Sequence, residues 1–176
     1  MIFTQTKLKG AYIIEIEPKE DERGFFARIW DKVEFKKVGL NTQLVQCSIS
    51  FNKVEGTLRG MHYQKDPFGE EKIVGCTKGK IFDAIVDLRE NSSTFKDYFA
   101  IELSQKNHKM LYVPGGFAHG FITLNDNCEV FYQISTIYIP EVASGVRWDD
   151  PAFSIKWPIK PIVISEKDKS YPNYEK

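Results

Sequence analysis

Short runs rich in β-branched and aromatic residues recur along this chain at the roughly 8–12-residue spacing that is typical of β-sandwiches and barrels. The segments between them carry Gly, Pro, Asn, Asp and Ser, which favour turns. The runs are AYIIEIE, GFFARIW, LVQCSIS, KIVGCT, KIFDAIVDL, YFAIEL, KMLYV, HGFITL and EVFYQIS, and the turns include KDPFGE, ENSSTF, VPGGFA and LNDN. The pattern predicts an all-β fold, and a jelly roll of two sheets is the natural closure for so many antiparallel strands.

The 176 residues contain no internal repeat and no linker that divides them, so we expect one domain over residues 1–176. The clearest helix signal is DKVEFKKVGL, in which Asp31 is a candidate N-cap and Gly39 a candidate stop. Residues 147–173 are interrupted by prolines, and we expect them to wrap the outside of the fold as ordered coil. The prediction is therefore an all-β domain with a few short helices.

The composition excludes several classes of function. Lys+Arg and Asp+Glu are equal at 24 each, so no basic excess indicates a nucleic-acid or membrane-surface partner. The three cysteines, Cys47, Cys76 and Cys128, are odd in number and far apart, which favours reduced thiols over a disulfide framework. The first residues lack an apolar signal core, and no apolar run approaches the ~20 residues of a membrane span. We expect a cytoplasmic protein.

The segment TLRGMHYQ reads as a strand, yet it holds Arg59 and His62 among apolar residues. A strand histidine is usually a packing or surface residue, but a neutral imidazole also titrates near physiological pH and can act as a base. Residues three apart in an ideal strand lie on opposite faces, so a bend or bulge near Gly60 is needed to bring both into one cavity.

In KIFDAIVDLR the period-2 rule separates two faces. Phe82, Ala84, Val86 and Leu88 form a core face. Ile81, Asp83, Ile85 and Asp87 form a mixed face, which suits either the lining of a polar cavity or a solvated surface. No role is assigned to Asp83 from the sequence.

The motif PGGFAHG places Pro114, Gly116 and His119 in the P-x-G-x-x-H order that is common in cupin jelly rolls, where the histidine is often a metal ligand. The companion His-x-His motif is HYQ here, with Gln64 in place of the second histidine. Two histidines without a convergent carboxylate make a poor transition-metal site. The sequence therefore predicts a cupin fold without a metal.

Eight blocks together resemble the dTDP-4-dehydrorhamnose 3,5-epimerase family in order and spacing, from about Gly10 to Asp168. They are DERGFF, GTLRGMHYQ, EKIV, FDAIVDLR, VPGGFAHGF, FYQISTIYIP, GVRWDDPAFSIKWP and ISEKD. The resemblance implies a cupin-type double-stranded β-helix, no cofactor, and a homodimer that pairs through its N-terminal strands. It also implies a nucleotide-sugar substrate, a nucleoside-diphosphate 4-keto-6-deoxyhexose that is inverted at C3, C5 or both through an enolate.

The resemblance also implies roles for named residues. His62 would be the base, Asp168 its carboxylate partner, Lys72 the cation near the enolate oxygen, and Tyr132 the acid that returns a proton at C5. Arg23 and Arg59 would bind the diphosphate. Gln46, His119 and Lys167 would complete the pocket.

Four positions depart from the family pattern, and all bear on the nucleotide. Arg28 stands where the family has a glutamate that holds thymine, and Gln46-Cys47-Ser48 replaces Q-x-N. Gln133 replaces a lysine, and Ala143 a glutamate. A guanidinium can donate to the bare N3 and the O2 of cytosine, so Arg28 makes CDP a candidate beside dTDP, the family default. The alternative is that Arg28 turns to solvent or binds a phosphate. Arg28 and Ser48 are counted among the substrate-binding residues.

Three alternatives stay open at this point. The first is a 3- or 5-monoepimerase or a 3,4-ketoisomerase on the same scaffold. The second is a metal-dependent cupin, against which the missing second histidine weighs. The third is a sugar-binding cupin without turnover, which would have no need of the His62, Asp168 and Tyr132 set.

Overall fold

The computed structural model describes residues 1–174, within which fourteen strands and two short helices are formed. The strands are β1 (Ile2–Gln5), β2 (Tyr12–Glu15), β3 (Lys19–Asp21), β4 (Gly24–Phe26), β5 (Gln46–Asn52), β6 (Thr57–Gln64), β7 (Lys72–Lys78), β8 (Lys80–Asp87), β9 (Tyr98–Ser104), β10 (Met110–Val113), β11 (Phe117–Thr123), β12 (Cys128–Ile134), β13 (Ala143–Gly145) and β14 (Val163–Ile164). The helices are α1 (Lys32–Val38) and α2 (Glu166–Ser170). The all-β prediction is confirmed.

The strands form two large sheets and one hairpin. Sheet 1 has the order β1-β2-β10-β7-β12-β5, and sheet 2 has the order β13-β6-β11-β8-β9, with β14 added alongside β6. All of these pairs are antiparallel except β14 with β6. The separate hairpin, β3 with β4, stands apart from both sheets.

The main core lies between the two sheets. Ile81, Ile85 and Phe121 of sheet 2 pack in one cluster with Val74 and Leu111 of sheet 1. All five are almost fully buried. Burial of that much apolar surface is what holds two sheets face to face.

Both faces of β8 are covered, which differs from the solvated alternative considered for its mixed face. Asp83 is completely buried on the inner face. The outer face packs, through Ala84 and Val86, against Val146 and Phe153 of the C-terminal segment. That segment therefore wraps sheet 2 on the outside, as predicted.

The sequence predicted one of the two helices, α1, and missed the other, α2. For α1 the prediction is confirmed: the Asp31 side chain accepts hydrogen bonds from the amides of Val33 and Glu34, and Gly39 ends the helix at φ 79°. The expectation of coil throughout residues 147–173 is wrong at α2. There Ser165 caps the helix by accepting from the Asp168 amide at 3.1 Å.

A β-bulge interrupts β6, as predicted near Gly60. His62 pairs with His119 and Arg59 pairs with Phe121, so β6 carries one more residue than β11 between these pairs. Gly60 has φ 139°, and a Cβ there would lie 2.5 Å from the Cα of Gly120. The bulge turns Arg59 and His62 toward the same cavity.

Within residues 1–174, no helix combines the length and the apolar character that crossing a membrane requires.

Candidate active site

A cavity of about 610 Å³ is lined by residues of both sheets and of α2. This volume suits a small organic ligand. Seven of the predicted site residues line it: Arg59, His62, Lys72, His119, Tyr132, Lys167 and Asp168. They come from both sheets and from α2.

His62 and Asp168 form a hydrogen-bonded pair on one wall of the cavity. The Nε2 atom of His62 lies 2.7 Å from Oδ1 of Asp168, and the Gly60 amide donates to Oδ2 at 3.3 Å. The His62 side chain is 40% exposed, whereas the Asp168 side chain is 6% exposed. A carboxylate on Nε2 favours the tautomer with its proton there, which leaves the lone pair on Nδ1 to take a proton.

The carboxylate of Asp168 is held in its charged form. Burial opposes ionisation, but the hydrogen bond from His62, the charge of His62 and the Gly60 amide outweigh burial. The pKa of Asp168 therefore lies below its ordinary value. An ionised Asp168 is the form that stabilises an imidazolium at His62.

Tyr132 lies across the cavity on β12 of sheet 1. Burial raises the pKa of its hydroxyl, and the negative charge of Asp83 raises that pKa further, while Arg59 opposes both effects. Tyr132 is therefore protonated throughout the physiological range. Its protonated hydroxyl lies on sheet 1, whereas His62 lies on sheet 2.

Lys72 lies on β7, the strand that pairs with β12, two residues before the Val74 that faces Tyr132. Because alternate residues share a face, Lys72 and Tyr132 project from the same side of sheet 1. The Nζ atom of Lys72 is 2.7 Å from Oε1 of Glu70, and each side chain is 10% exposed. Glu70 thereby fixes a cation at the cavity wall.

Arg59 is oriented by a buried amide. Its Nε donates to Oδ1 of Asn52 at 2.7 Å, and Asn52 is 2% exposed. Among residues 1–174 only Nε of the Arg59 side chain makes a hydrogen bond, so the two terminal nitrogens of the guanidinium are available there for a bidentate contact with an anion.

A second His–Asp pair lies behind the first. His119 Nε2 is 2.8 Å from Asp83 Oδ1, and their side chains are 5% and 0% exposed. The other oxygen of Asp83 has no hydrogen-bond partner among residues 1–174. The His119 ring meets Tyr132 edge-on, with centroids 6.2 Å apart.

A sequence model of the family described as dTDP-4-dehydrorhamnose 3,5-epimerase matches residues 5–176. A protein of that name from Methanothermobacter thermautotrophicus is 43% identical over 173 residues, covering 96% of this chain and 92% of the relative. The crystal structure of dTDP-4-dehydrorhamnose 3,5-epimerase from Elizabethkingia anophelis gives a TM-score of 0.95 at 40% identity, covering 99% of this chain and 96% of that one. The Bacillus anthracis structure, with TDP and PPi bound, gives 0.95 at 37% identity, covering 98% and 99%.

The chain belongs to the dTDP-4-dehydrorhamnose 3,5-epimerase family. This confirms the resemblance drawn from the eight blocks and places the chain among enzymes of the isomerase class. The likeness to solved epimerase structures also confirms the prediction of a cupin-type jelly roll.

Four predicted substrate-binding residues do not line the cavity of their own subunit: two came from the family resemblance, Arg23 and Gln46, and two from departures from it, Arg28 and Ser48. Arg23 projects from the β3–β4 hairpin, 84% exposed, and pairs with Asp21. Arg28 is 58% exposed and lies 3.6 Å from Asp31. Ser48 is exposed on β5, and the Gln46 side chain accepts a hydrogen bond from the Tyr138 amide at 2.8 Å. Tyr138 itself lines the cavity, so Gln46 contacts the backbone of a cavity residue.

Three residues that hold cavity-lining side chains could not be assigned a role from the sequence. Glu70, Asn52 and Asp83 each hold one cavity residue in place, and each reads as an ordinary polar residue at a strand or loop. The helix α2, which was also not predicted, did have a signal in the sequence, because Ser165-x-x-Asp168 matches a helix capping pattern.

Proposed function

We propose that this chain is a single-domain 3,5-epimerase of a dTDP-linked 4-keto-6-deoxyhexose. The observation that carries the proposal is the His62–Asp168 pair, which faces Tyr132 across one cavity. The names of the relatives give independent support, because they are epimerases of dTDP-4-dehydrorhamnose.

The first step needs a base and a stabilised enolate. The C4 ketone acidifies the hydrogens on C3 and C5, so Nδ1 of His62 can take one of these protons. The electrons of the broken C–H bond pass to the ketone oxygen, where the ammonium of Lys72 stabilises the enolate. Asp168 stabilises the imidazolium that forms.

The second step needs an acid on the other face of the sugar. His62 belongs to sheet 2 and Tyr132 to sheet 1, so the two groups approach the ring from opposite walls. Tyr132 gives its proton to the carbon, the C–C double bond of the enolate returns to the ketone, and the centre is inverted. The phenolate then recovers a proton from water, and the imidazolium releases one.

The cationic residues hold the nucleotide in this proposal. Arg59 lines the cavity with its terminal nitrogens free of Asn52, and it would bind the diphosphate. Lys167 and His119 line the same cavity and would complete the sugar and phosphate contacts. Arg23 would add a phosphate contact from a neighbouring subunit.

The direct test is proton exchange in heavy water. With a dTDP-linked 4-keto-6-deoxyglucose substrate, NMR should show deuterium entering at both C3 and C5, together with inversion at both centres. Tyr132→Phe should retain exchange at C3 and lose inversion at C5, because its base is intact and its acid is removed. Inversion at C5 at the normal rate in that variant would refute the assigned acid. Exchange at one centre alone in the wild type would favour a monoepimerase.

For the nucleotide, the relatives favour thymidine and Arg28 favours cytosine. We propose dTDP, because solved relatives hold TDP or a dTDP-linked sugar, and because Arg28 pairs with Asp31 of its own subunit, which occupies its guanidinium. Calorimetric titration of dTDP and CDP into the protein should show dTDP binding more tightly. CDP binding more tightly, with the order reversed in Arg28→Glu, would overturn this choice.

We also propose a homodimer that pairs through its N-terminal strands. The β3–β4 hairpin carries Phe25 and Phe26, which are 49% and 66% exposed, and β1 and β5 are edge strands. A partner would cover this surface and would receive Arg23 and Arg28 near its cavity. Light scattering should give the mass of two chains at micromolar concentration. An active monomer would contradict the proposal.

A further inference from the structure

Tyr171 packs against the proposed base. It follows directly after α2 and lines the cavity. Its ring meets the imidazole of His62 edge-on, with centroids 5.9 Å apart and an angle of 67° between the planes. This places an aromatic wall beside the residue on which the proposed function depends.

The sheet leaves a space for this ring. Gly145 on β13 is the cross-strand neighbour of His62. In an ordinary sheet, the side chain at that position would pack against the histidine. A Cβ on Gly145 would lie only 2.5 Å from Cε2 of Tyr171, so the ring occupies the position that a cross-strand side chain would fill.

The chain is anchored on both sides of Tyr171. On one side, α2 is fixed through Asp168, whose carboxylate holds His62 and the Gly60 amide. On the other side, the carbonyl of Pro172 accepts from the Arg147 amide at 3.3 Å, and the Tyr174 amide donates to Asp150. The backbone is therefore fixed on both sides of Tyr171, which keeps its ring in place beside His62.

We infer that Tyr171 is a positioning residue for His62. Its ring limits rotation of the imidazole and keeps water from the His62–Asp168 hydrogen bond, so that Nδ1 stays directed into the cavity. This inference rests on the proposed function, in which His62 is the base. The ring supplies the effect on His62, whereas the hydroxyl interacts with Lys167, so the ring and the hydroxyl are tested separately.

The test compares Tyr171→Ala with the matched control Tyr171→Phe. Removing the ring should lower kcat by about 10- to 100-fold, the usual effect of a misplaced catalytic group, with KM and dTDP affinity changed less than about 2-fold. Deuterium entry at C3 and at C5 should fall by the same factor, since one base serves both. Tyr171→Phe should retain kcat within about 2-fold of the wild type.

The outcomes separate this inference from the proposed function. A kcat within about 2-fold of wild type in Tyr171→Ala overturns the inference, and so does an equal loss in Tyr171→Phe, which would assign the effect to the hydroxyl. If Tyr171→Ala does not fold, Tyr171→Leu takes its place with the same expectations.

A second readout needs no substrate. The chain has three histidines, so ¹⁵N NMR can assign the His62 ring with a His62→Gln control. The wild type should show one neutral tautomer, protonated at Nε2, and Tyr171→Ala should show a mixture. An unchanged tautomer in Tyr171→Ala overturns the inference even where the wild type proves inactive on every 4-keto sugar.

Discussion

The two His–Asp pairs are neighbours, because His62 and His119 are cross-strand partners in sheet 2, yet the surroundings of the two pairs differ. His62 is 40% exposed, and both oxygens of its partner Asp168 receive hydrogen bonds. His119 and Asp83 are almost fully buried, and one oxygen of Asp83 has no partner within residues 1–174. The first pair presents its imidazole to the cavity, whereas the second is almost fully buried, with only the edge of His119 at the cavity wall.

The comparison shows that the environment of a His–Asp pair determines which role it can have. A half-exposed imidazole with an ionised carboxylate behind it suits proton transfer. A buried pair instead holds neighbouring side chains in place and adds a fixed charge. Here burial raises the pKa of Tyr132, and the charge of Asp83 raises it further. We therefore expect the first pair to govern activity and the second to govern stability and the acid.

The largest expected effect follows from removing the exposed histidine. His62→Ala should lower kcat by roughly 10²- to 10⁴-fold, the usual contribution of a positioned base. Steady-state kinetics with the 4-keto sugar nucleotide measure this, with circular dichroism to verify the fold. Activity within about 10-fold of wild type would remove His62 from the mechanism.

Asp168→Asn should be strongly impaired, by about 10²-fold or more, because the imidazolium loses its charged partner and the tautomer is no longer fixed. Thermal stability should change little, since an amide can keep one of the hydrogen bonds. The same kinetic assay compares Asp168→Asn with the control Asp97→Asn, because Asp97 is exposed on the surface. Equal activity in the two variants would contradict the assignment.

Loss of the carboxylate should reduce stability more in the buried pair than in the exposed pair. Asp83→Ala leaves His119 without its partner in the interior and should lower the free energy of unfolding by about 3 kcal/mol. Asp168→Ala should cost about 1 kcal/mol, because His62 can turn to water. Urea denaturation followed by circular dichroism gives both values. A larger loss in Asp168→Ala would reverse the comparison.

The smallest effect is in the pH dependence of stability. The pKa of Asp168 is lower in the folded chain than its ordinary value of 3.8. Its contribution to stability is therefore complete above that value and is lost as the pH falls through the lower folded-state pKa. Thermal unfolding between pH 6 and about 3 should show a shallower acid decline in Asp168→Asn than in Asp97→Asn. Parallel curves would mean that the carboxylate is not held in its charged form.

Much of this site was predictable because its signals are local. The bounds of β6, the Gly60 bulge and the α1 caps follow from turn and strand chemistry, and the family motifs supplied His62, Asp168 and Tyr132. Asp83 could not be assigned, because its place beside His119 depends on the pairing of β8 with β11. The proline pattern predicted that the C-terminal segment wraps the outside, but not that Val146 and Phe153 cover β8, because those contacts join residues some sixty positions apart.

The two pairs also differ in how their aspartates are attached to the sheets, because Asp168 lies near the C-terminal end of the chain. His119 and Asp83 are bound by neighbouring strands of the barrel, whereas α2 reaches sheet 2 through Asp168 and the two-residue strand β14. A local opening of residues 163–174 would disconnect the base while leaving the sheets intact. Amide hydrogen exchange in this segment would then report the lifetime of the competent site, and inactivation in mild denaturant would precede unfolding of the barrel.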